Sequence, residues 1–412
     1  MHKKRWVILL LLFLASVNNY LDRQTLSVLA PYLRDELNLS NVDYSFIVNA
    51  FLVAYAIMYT GSGRIIDFLG GRRGVAFCVL AWSLVSTLHA TAAGFLSLAL
   101  YRFLLGLSEP GIYPGAVKVL SGLFSARDRG FVIGLVVGGT SIGAIVAPPI
   151  VVWLLLNFGW RSAFMATGLS GLLILVAWKL VYRADEERVL ISLMKEDPSP
   201  ATPDTYRWRD LFRLPSVWAF LGVRILGDPV WYFILFWLPD YLVKERGFSM
   251  NLLGRTAWIP YVGVDLGIVL GGYAAGVLIK CGGQVLKTRK AIAVLAGVFV
   301  PFGIIASMHV SDPYAIVYLF AIAVFAMGLW MSTIHTLPSD LFHYGNVASV
   351  YGLGGTAGAV GGIGFIALVG ILADKGLYAL SFWLASVMFP LSVLVLVLFM
   401  RPVAAMRTGS GA

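Results

Sequence analysis

Apolar runs separated by short polar breaks fill almost the whole chain. Twelve can be drawn, over approximately 6–30, 43–66, 74–93, 95–120, 130–156, 160–182, 215–243, 252–280, 290–310, 313–337, 346–373 and 377–400. At 1.5 Å rise per residue each is long enough to cross the hydrocarbon core of a bilayer. The runs are uninterrupted and lack the alternation of an outer-membrane barrel, so they predict helices. One long polar stretch stands out. It contains Asp185-Glu186-Glu187-Arg188 and Pro198-Ser199-Pro200, a linker composition that divides the runs six from six.

The expected organisation is therefore an all-α membrane protein of twelve transmembrane helices in two pseudo-symmetric six-helix halves. Residues 1–182 form the N-terminal half, 183–214 a cytoplasmic linker, 215–400 the C-terminal half and 401–412 a cytoplasmic tail. The halves echo one another. Gly138-Gly139-Thr140 recurs as Gly354-Gly355-Thr356, and Gly63, Asp67 and Gly70 have counterparts in Gly276, Lys280 and Gly282 at nearly the same offset. Duplicated six-span halves are a common build of secondary transporters, with the site between them near the midplane.

Composition agrees. The chain is 59% hydrophobic and 13% charged, about half the charged share of a soluble domain. Its formal charge of +10 does not point to nucleic acid, because the basic residues gather in alternate loops and at the termini. Lys3-Lys4-Arg5, Arg72-Arg73, Arg127, Arg129, Arg183 to Arg213, and Lys287 to Lys290 all fall on one expected side. That puts both termini in the cytoplasm. The first run is too long and too polar-interrupted for a signal peptide. The two cysteines, Cys78 and Cys281, are read as unpaired, and no metal-ligand spacing is present. No cofactor is expected, and no phosphate-binding loop for ATP occurs.

Charges inside the runs carry the candidate chemistry, since a charge near a membrane centre costs at least ~2.5 kcal/mol on insertion scales. Span one holds Asp22 and Arg23, and span four holds Arg102 and Glu109. Arg102 and Glu109 share a helix face, about 10 Å apart along the axis. Counting from the outer surface, Arg23 and Arg102 reach similar depth on different helices, with Glu109 two turns deeper. One reading is an inert network in which Asp22 pairs with Arg102 and Glu109 with Arg23. A solute and proton pathway explains four costly charges better. Two guanidinium groups match a carboxylate, which makes a small organic anion the natural substrate. Two carboxyl groups that take up protons when desolvated provide proton coupling, with sodium as the open alternative.

After span two the chain reads Gly63-Arg64-Ile65-Ile66-Asp67-Phe68-Leu69-Gly70-Gly71-Arg72-Arg73. This resembles the G-x-x-x-D-x-x-G-x-R-R signature of the major facilitator superfamily (MFS). A tight glycine turn there, with Asp67 clasping a basic group or helix end, would break and reform as the halves rock. Gly63, Asp67, Gly70, Arg72 and Arg73 are thus gating candidates. Asn19-Tyr20-Leu21-Asp22-Arg23, Arg102 through Glu109 to Gly115, Gly143 to Trp153, Gly159-Trp160-Arg161, Gly227 to Pro239, Asp265 to Gly272 and Ser349 to Gly362 resemble the anion:cation symporter family, especially its hexuronate-transporter branch.

The resemblance implies symport of a sugar acid, most naturally a hexuronate, with protons across a bacterial inner membrane. It implies Arg23 and Arg102 at the substrate carboxylate, Asp22 and Glu109 as proton carriers, and Tyr55 as a substrate-facing hydroxyl. Thr140 stands where some members carry a larger amide side chain that contacts substrate. Within span seven, Asp228 is a site or gate residue or a local cap, and Pro229 is expected to break the helix. Tyr232 either stacks on a sugar ring or packs. His335 either faces the substrate or is a satisfied core histidine. Asp265 is a possible partner of Arg224, while Lys179 and Arg224 are expected to snorkel. Trp6, Trp82 and Trp160 read as interfacial or packing aromatics.

The expected partners are the anion and membrane lipid, with the protein a monomer. An exchanger or exporter on the same fold is the first rival. A non-transporting anion sensor is the second, weakened by a largest polar segment of only about thirty residues. No bond is made or broken in any of these readings, so the chain is not read as an enzyme.

Overall fold

The computed structural model describes residues 2–124, 126–183, 211–342 and 344–401. Most of the linker expected over 183–214, and the tail from 402, therefore lie outside the described residues. What is described is helical, with no strand. In chain order the helices are α1 (His2–Glu36), α2 (Asn41–Leu69), α3 (Gly71–Leu88), α4 (Phe95–Ser108), α5 (Ile112–Leu123), α6 (Ala126–Phe158) and α7 (Trp160–Val181). There follow α8 (Pro215–Lys244), α9 (Met250–Thr256), α10 (Ile259–Lys280), α11 (Val285–His309), α12 (Pro313–Leu341), α13 (Tyr344–Asp374) and α14 (Tyr378–Phe399).

Among the described residues eleven helical stretches are long and apolar enough to cross a membrane. The expected fourth span is not one helix. Pro110 and Gly111 end α4, and the chain restarts as α5, so Glu109 projects from a break. The expected eighth span is likewise divided, at Ala257 and Trp258 between α9 and α10. Span seven departs in the other direction, since α8 runs unbroken through Pro229 and Pro239. Pro229 deprives the Ile225 carbonyl of its helical partner, and that carbonyl lies directly against Gly361 of α13. The expected loop after span two is also mostly helix. α2 continues to Leu69, and only Gly70, at φ 80°, makes the turn into α3.

Helix contacts sort into two groups. α1 packs on α6 and α7, α2 on α4, and α3 on α7; in the second group α8 packs on α13 and α14, α10 on α12, and α11 on α12 and α14. Glycines set the approaches. In α6, a Cβ on Gly139 would lie 2.9 Å from the Phe13 carbonyl oxygen, and one on Gly143 2.9 Å from the Tyr20 Cβ, both in α1. In α13, Gly354 faces Phe220 and Gly358 faces Asp228 of α8. The repeated glycines thus seat the fifth crossing on the first and the eleventh on the seventh.

Between the groups lie three seams: α2 with α13, α6 with α9 and α10, and α1 with α8. Exchanging the halves exchanges the first two and keeps the third, as a two-fold repeat requires. The bonds joining described residues of the two halves cluster at one end. Arg34 pairs with Asp240 at 2.6 Å, Lys244 with Asp35, and the Asn41 and Val42 amides donate to Asp374 at 2.7 and 3.0 Å. Deeper in, Tyr44 Oη donates to the Phe236 carbonyl at 2.8 Å and Ser27 Oγ to Leu235 at 2.8 Å. At about mid-depth Asn49 reaches the Ile363 carbonyl and Ser141 donates to Asp265 at 2.6 Å. The helix ends that carry the outermost bonds are those remote from the chain termini, so the molecule is closed at that end.

Candidate functional site

Consecutive residues on a helix point about 100° apart, so Asp22 and Arg23 of α1 serve different neighbours. Asp22, 1% exposed, turns into the N-terminal half. Asn18, one turn earlier, donates to its Oδ2 at 3.0 Å, and Ser86 of α3 donates to its Oδ1. Ser86 also meets Thr167 of α7 at 3.2 Å, while Ser170 donates to the Asn18 side-chain oxygen. The Asp22–Arg102 ion pair of the inert-network reading does not form; hydroxyls and an amide surround the carboxylate instead.

Arg23 turns the other way. Its Nη2 and Nε donate to Glu109 Oε2 at 2.7 and 3.2 Å, with the glutamate fully buried and the guanidinium side chain 12% exposed. The guanidinium also lies 4.6 Å from the ring centre of Tyr55, 5.0 Å from Phe51 and 5.1 Å from Tyr20. Cation–π contact of this kind holds a charge out of bulk water without neutralising it. Arg23 therefore spans the depth step to Glu109, an acid at the α4–α5 break whose other oxygen, Oε1, has no partner among the described residues.

Arg102 is 2% exposed and donates from Nη1 to the Arg23 carbonyl at 3.3 Å. Its Nε and Nη2 have no partner among the described residues. Depth counting put Arg102 level with Arg23, and it does sit against the Arg23 backbone. Arg102 is the more deeply buried of the two, since the Arg23 side chain is 12% exposed.

Across the cleft, α8 and α13 supply the facing wall. Tyr232 is half-buried, stacked on Phe236 at 6.4 Å and within electrostatic reach of Arg23 and Tyr55. Arg224 pairs with Asp228 one turn on, Nε to Oδ2 2.9 Å, and also donates to the Gly354 carbonyl at 3.3 Å. This corrects two expectations: Arg224 does not snorkel, and Asp265 pairs with Ser141 rather than Arg224. Asp228 is accordingly half of a buried ion pair and not a cap. His335 is exposed, with its ring 5.7 Å from that of half-buried Tyr351.

Thr140 is half-buried on α6, its hydroxyl donating to its own helix at Val137. The remaining gating candidates divide. Arg72 donates to the Tyr182 carbonyl, and Trp178 donates to the Arg72 carbonyl at 3.1 Å, so this arginine ties α3 to α7 inside one half. Arg73 is exposed. Gly63 and Asp67 lie in α2, outside the residues whose side chains are described, as do Arg127 and Arg129 of α6. Trp82 and Trp160 are buried and Trp6 is exposed; Cys78 and Cys281 are both free.

Sequence reasoning missed Tyr20 and Phe51, which flank Arg23, and Ser86 and Thr167, which hold Asp22. Tyr20 was legible as the residue one turn before Arg23. The others come from separate helices and carry no local signal.

The Major Facilitator Superfamily model matches residues 12–366. The chain belongs to that superfamily. This MFS chain is 30% identical over 379 residues to a hexuronate transporter of Escherichia coli, covering 90% of this chain and 88% of that one. It is also 30% identical over 422 residues to a hexuronate transporter of Bacillus subtilis, covering 100% and 98%. Among solved structures it resembles a D-xylose-proton symporter in fold, with TM-score 0.77 at 16% identity, covering 96% of this chain and 98% of that one. The MFS chain is thus a multi-pass membrane transporter, not an enzyme.

Proposed function

We propose that the chain imports a hexuronate together with protons across the bacterial inner membrane, with both termini cytoplasmic. The observation that carries this reading is the Arg23–Glu109 pair, partly open to the cleft between the halves and ringed by Tyr20, Phe51 and Tyr55. A guanidinium engaged by one internal carboxylate can exchange it for a substrate carboxylate, and protonation of Glu109 is the step that frees it. Unlike the fork of Arg23, Arg102 acts from behind, as a buried positive charge that favours an anion in this layer. Asp22 is the second proton carrier, in its pocket of hydroxyls. The names of the E. coli and B. subtilis relatives support a hexuronate as the anion.

With the termini cytoplasmic, the Arg34–Asp240 end faces outward and the structure opens inward. Proton release from Glu109 would then restore its bond to Arg23 and expel the carboxylate. The test is uptake of labelled glucuronate by proteoliposomes under an imposed pH gradient, acid outside. Accumulation abolished by a protonophore is expected. Uptake driven by a sodium gradient alone would overturn proton coupling, and uptake only into vesicles preloaded with anion would make the protein an exchanger.

A further inference from the structure

Each half carries a largely buried arginine–carboxylate pair whose arginine stands on a helix of the α1–α8 seam, and the pairs are built differently. Arg23 and Glu109 stand on separate segments, α1 and the α4–α5 break, and Glu109 Oε1 has no partner among the described residues. Such a pair separates when its acid is protonated or its helices shift. Arg224 and Asp228 stand one turn apart on the same helix, 2.9 Å between Nε and Oδ2. The Gly354 carbonyl accepts from Arg224, and Gly358 lies so close to Asp228 that any Cβ there would overlap the carboxylate. No movement of one half against the other separates two groups on one helix. The C-terminal pair is therefore not pulled apart when one half moves against the other.

Its surroundings face the solute. Tyr232 stands one turn beyond Asp228 on α8, against Gly362 of α13, and Tyr351 stands about one turn before Gly354 on α13, its ring 5.7 Å from that of His335. His335 is exposed, and Tyr351 and Tyr232 are half-buried. An arginine–aspartate pair held on one helix offers a donor and an acceptor side by side. A sugar hydroxyl, which both donates and accepts, satisfies both at once. A second carboxylate meets Asp228 as well as Arg224, and the like charge opposes it.

We propose that Arg224 and Asp228, with Tyr232, Tyr351 and His335, form a second subsite that takes the hydroxyl-bearing end of the sugar acid and rejects a second carboxylate. This rests on the sugar-acid reading above and deepens it: the N-terminal half reads the acid group, and the C-terminal half selects uronates over aldarates of the same carbon number.

Competition against labelled glucuronate uptake in proteoliposomes tests it. In the wild-type protein galacturonate should compete at least about tenfold better than galactarate, the size a single nearby like charge supports. Asp228→Asn should shrink that ratio by about tenfold, because the like charge that opposes a second carboxylate is then removed. Arg224→Gln should weaken competition by galacturonate more than that by glycolate, which is too short to reach the subsite. Equal competition by galactarate in the wild type overturns the proposal without any variant having to fold. An unaltered ratio in a folded Asp228→Asn protein overturns it too. A wild-type protein that takes up no sugar acid overturns the transport reading itself, an outcome distinct from the other two.

Discussion

Arg34 of α1 and Asp240 of α8 meet across the seam between the halves, Nη1 to Oδ2 2.6 Å, with the aspartate side chain fully buried. Asp240 Oδ1 has no hydrogen-bond partner among the described residues, so the contact with Arg34 is the main hydrogen-bonded support of the charge. Removing the cation from a buried pair costs roughly 3–5 kcal/mol because the remaining charge is left uncompensated. That cost falls only on the state in which the end is shut, so Arg34→Ala should shift the molecule toward opening there. Ser27, buried behind the pair and bonded to Leu235, is the reporter. In a background with exposed Cys281 replaced by Ser, Ser27→Cys should react with a membrane-impermeant thiol reagent at least about tenfold faster once Arg34 is Ala. Asp240→Asn removes the charge along with its partner and should act more weakly. Equal labelling in all three proteins would mean that the pair does not hold the end shut.

Arg23 and Glu109 predict a separation of binding from coupling. Glu109→Gln keeps the shape of the acid but removes the charge that occupies Arg23. The purified variant should bind hexuronate at least as tightly as the wild type and support exchange, yet fail to accumulate it under a pH gradient. Arg23→Ala should lower uptake by about a hundredfold or more, the loss of two charge-assisted hydrogen bonds. Arg23→Lys should restore little, since an ammonium has no planar fork and stacks poorly on Tyr55. Concentrative uptake by Glu109→Gln would require another proton carrier.

How much of this was legible in the sequence depends on the length of the signal. Long apolar runs announce themselves through many residues, which is why the crossings were readable. Breaks did not follow from proline alone. Pro110 with Gly111 ends α4, while α8 continues unbroken through Pro229, where Gly361 of α13 accommodates the carbonyl it frees. That compensation belongs to a neighbour far along the chain. Depth counting placed Arg23, Arg102 and Glu109 well, since depth is set by position along a helix. It could not say how each helix is rotated, and so it offered Asp22 to Arg102 when its partners are Ser86 and Asn18. Arg224 was misjudged for a different reason. It lies roughly 13 Å into α8 at 1.5 Å per residue, too deep to snorkel, and its partner four residues on was in plain view.

Asp22 predicts an effect on pH dependence that leaves affinity alone. Its contacts with Asn18 and Ser86 point into the N-terminal half, away from the cleft. Asp22→Asn preserves most of those hydrogen bonds and removes one titrating group. Uptake should lose part of its dependence on external pH, with KM for hexuronate unchanged at the most acidic pH tested. Ser86→Ala, which withdraws one donor from the carboxylate, should shift the pH profile without flattening it. A rise in KM with an unaltered profile would instead make Asp22 a substrate contact.

The C-terminal half predicts where an added methyl group is tolerated. α10 and α12 cross backbone to backbone: a Cβ on Gly267 would lie 3.0 Å from the Gly328 Cα, and one on Gly328 2.8 Å from the Ile268 amide nitrogen. Backbone cannot swing aside as a flexible side chain does, so Gly328→Ala must push the helices apart. Overpacking of this kind costs about 1–3 kcal/mol. Gly276 lies on α10 as well, yet a Cβ there would meet nothing within 4 Å. Its replacement by Ala removes backbone freedom from the unfolded chain, worth about 0.4–1 kcal/mol to the folded state. Thermal unfolding in detergent should therefore show Gly328→Ala less stable than the wild type and Gly276→Ala equal to it or more stable. If both lose stability alike, the close crossing of α10 and α12 does not set the packing of this half.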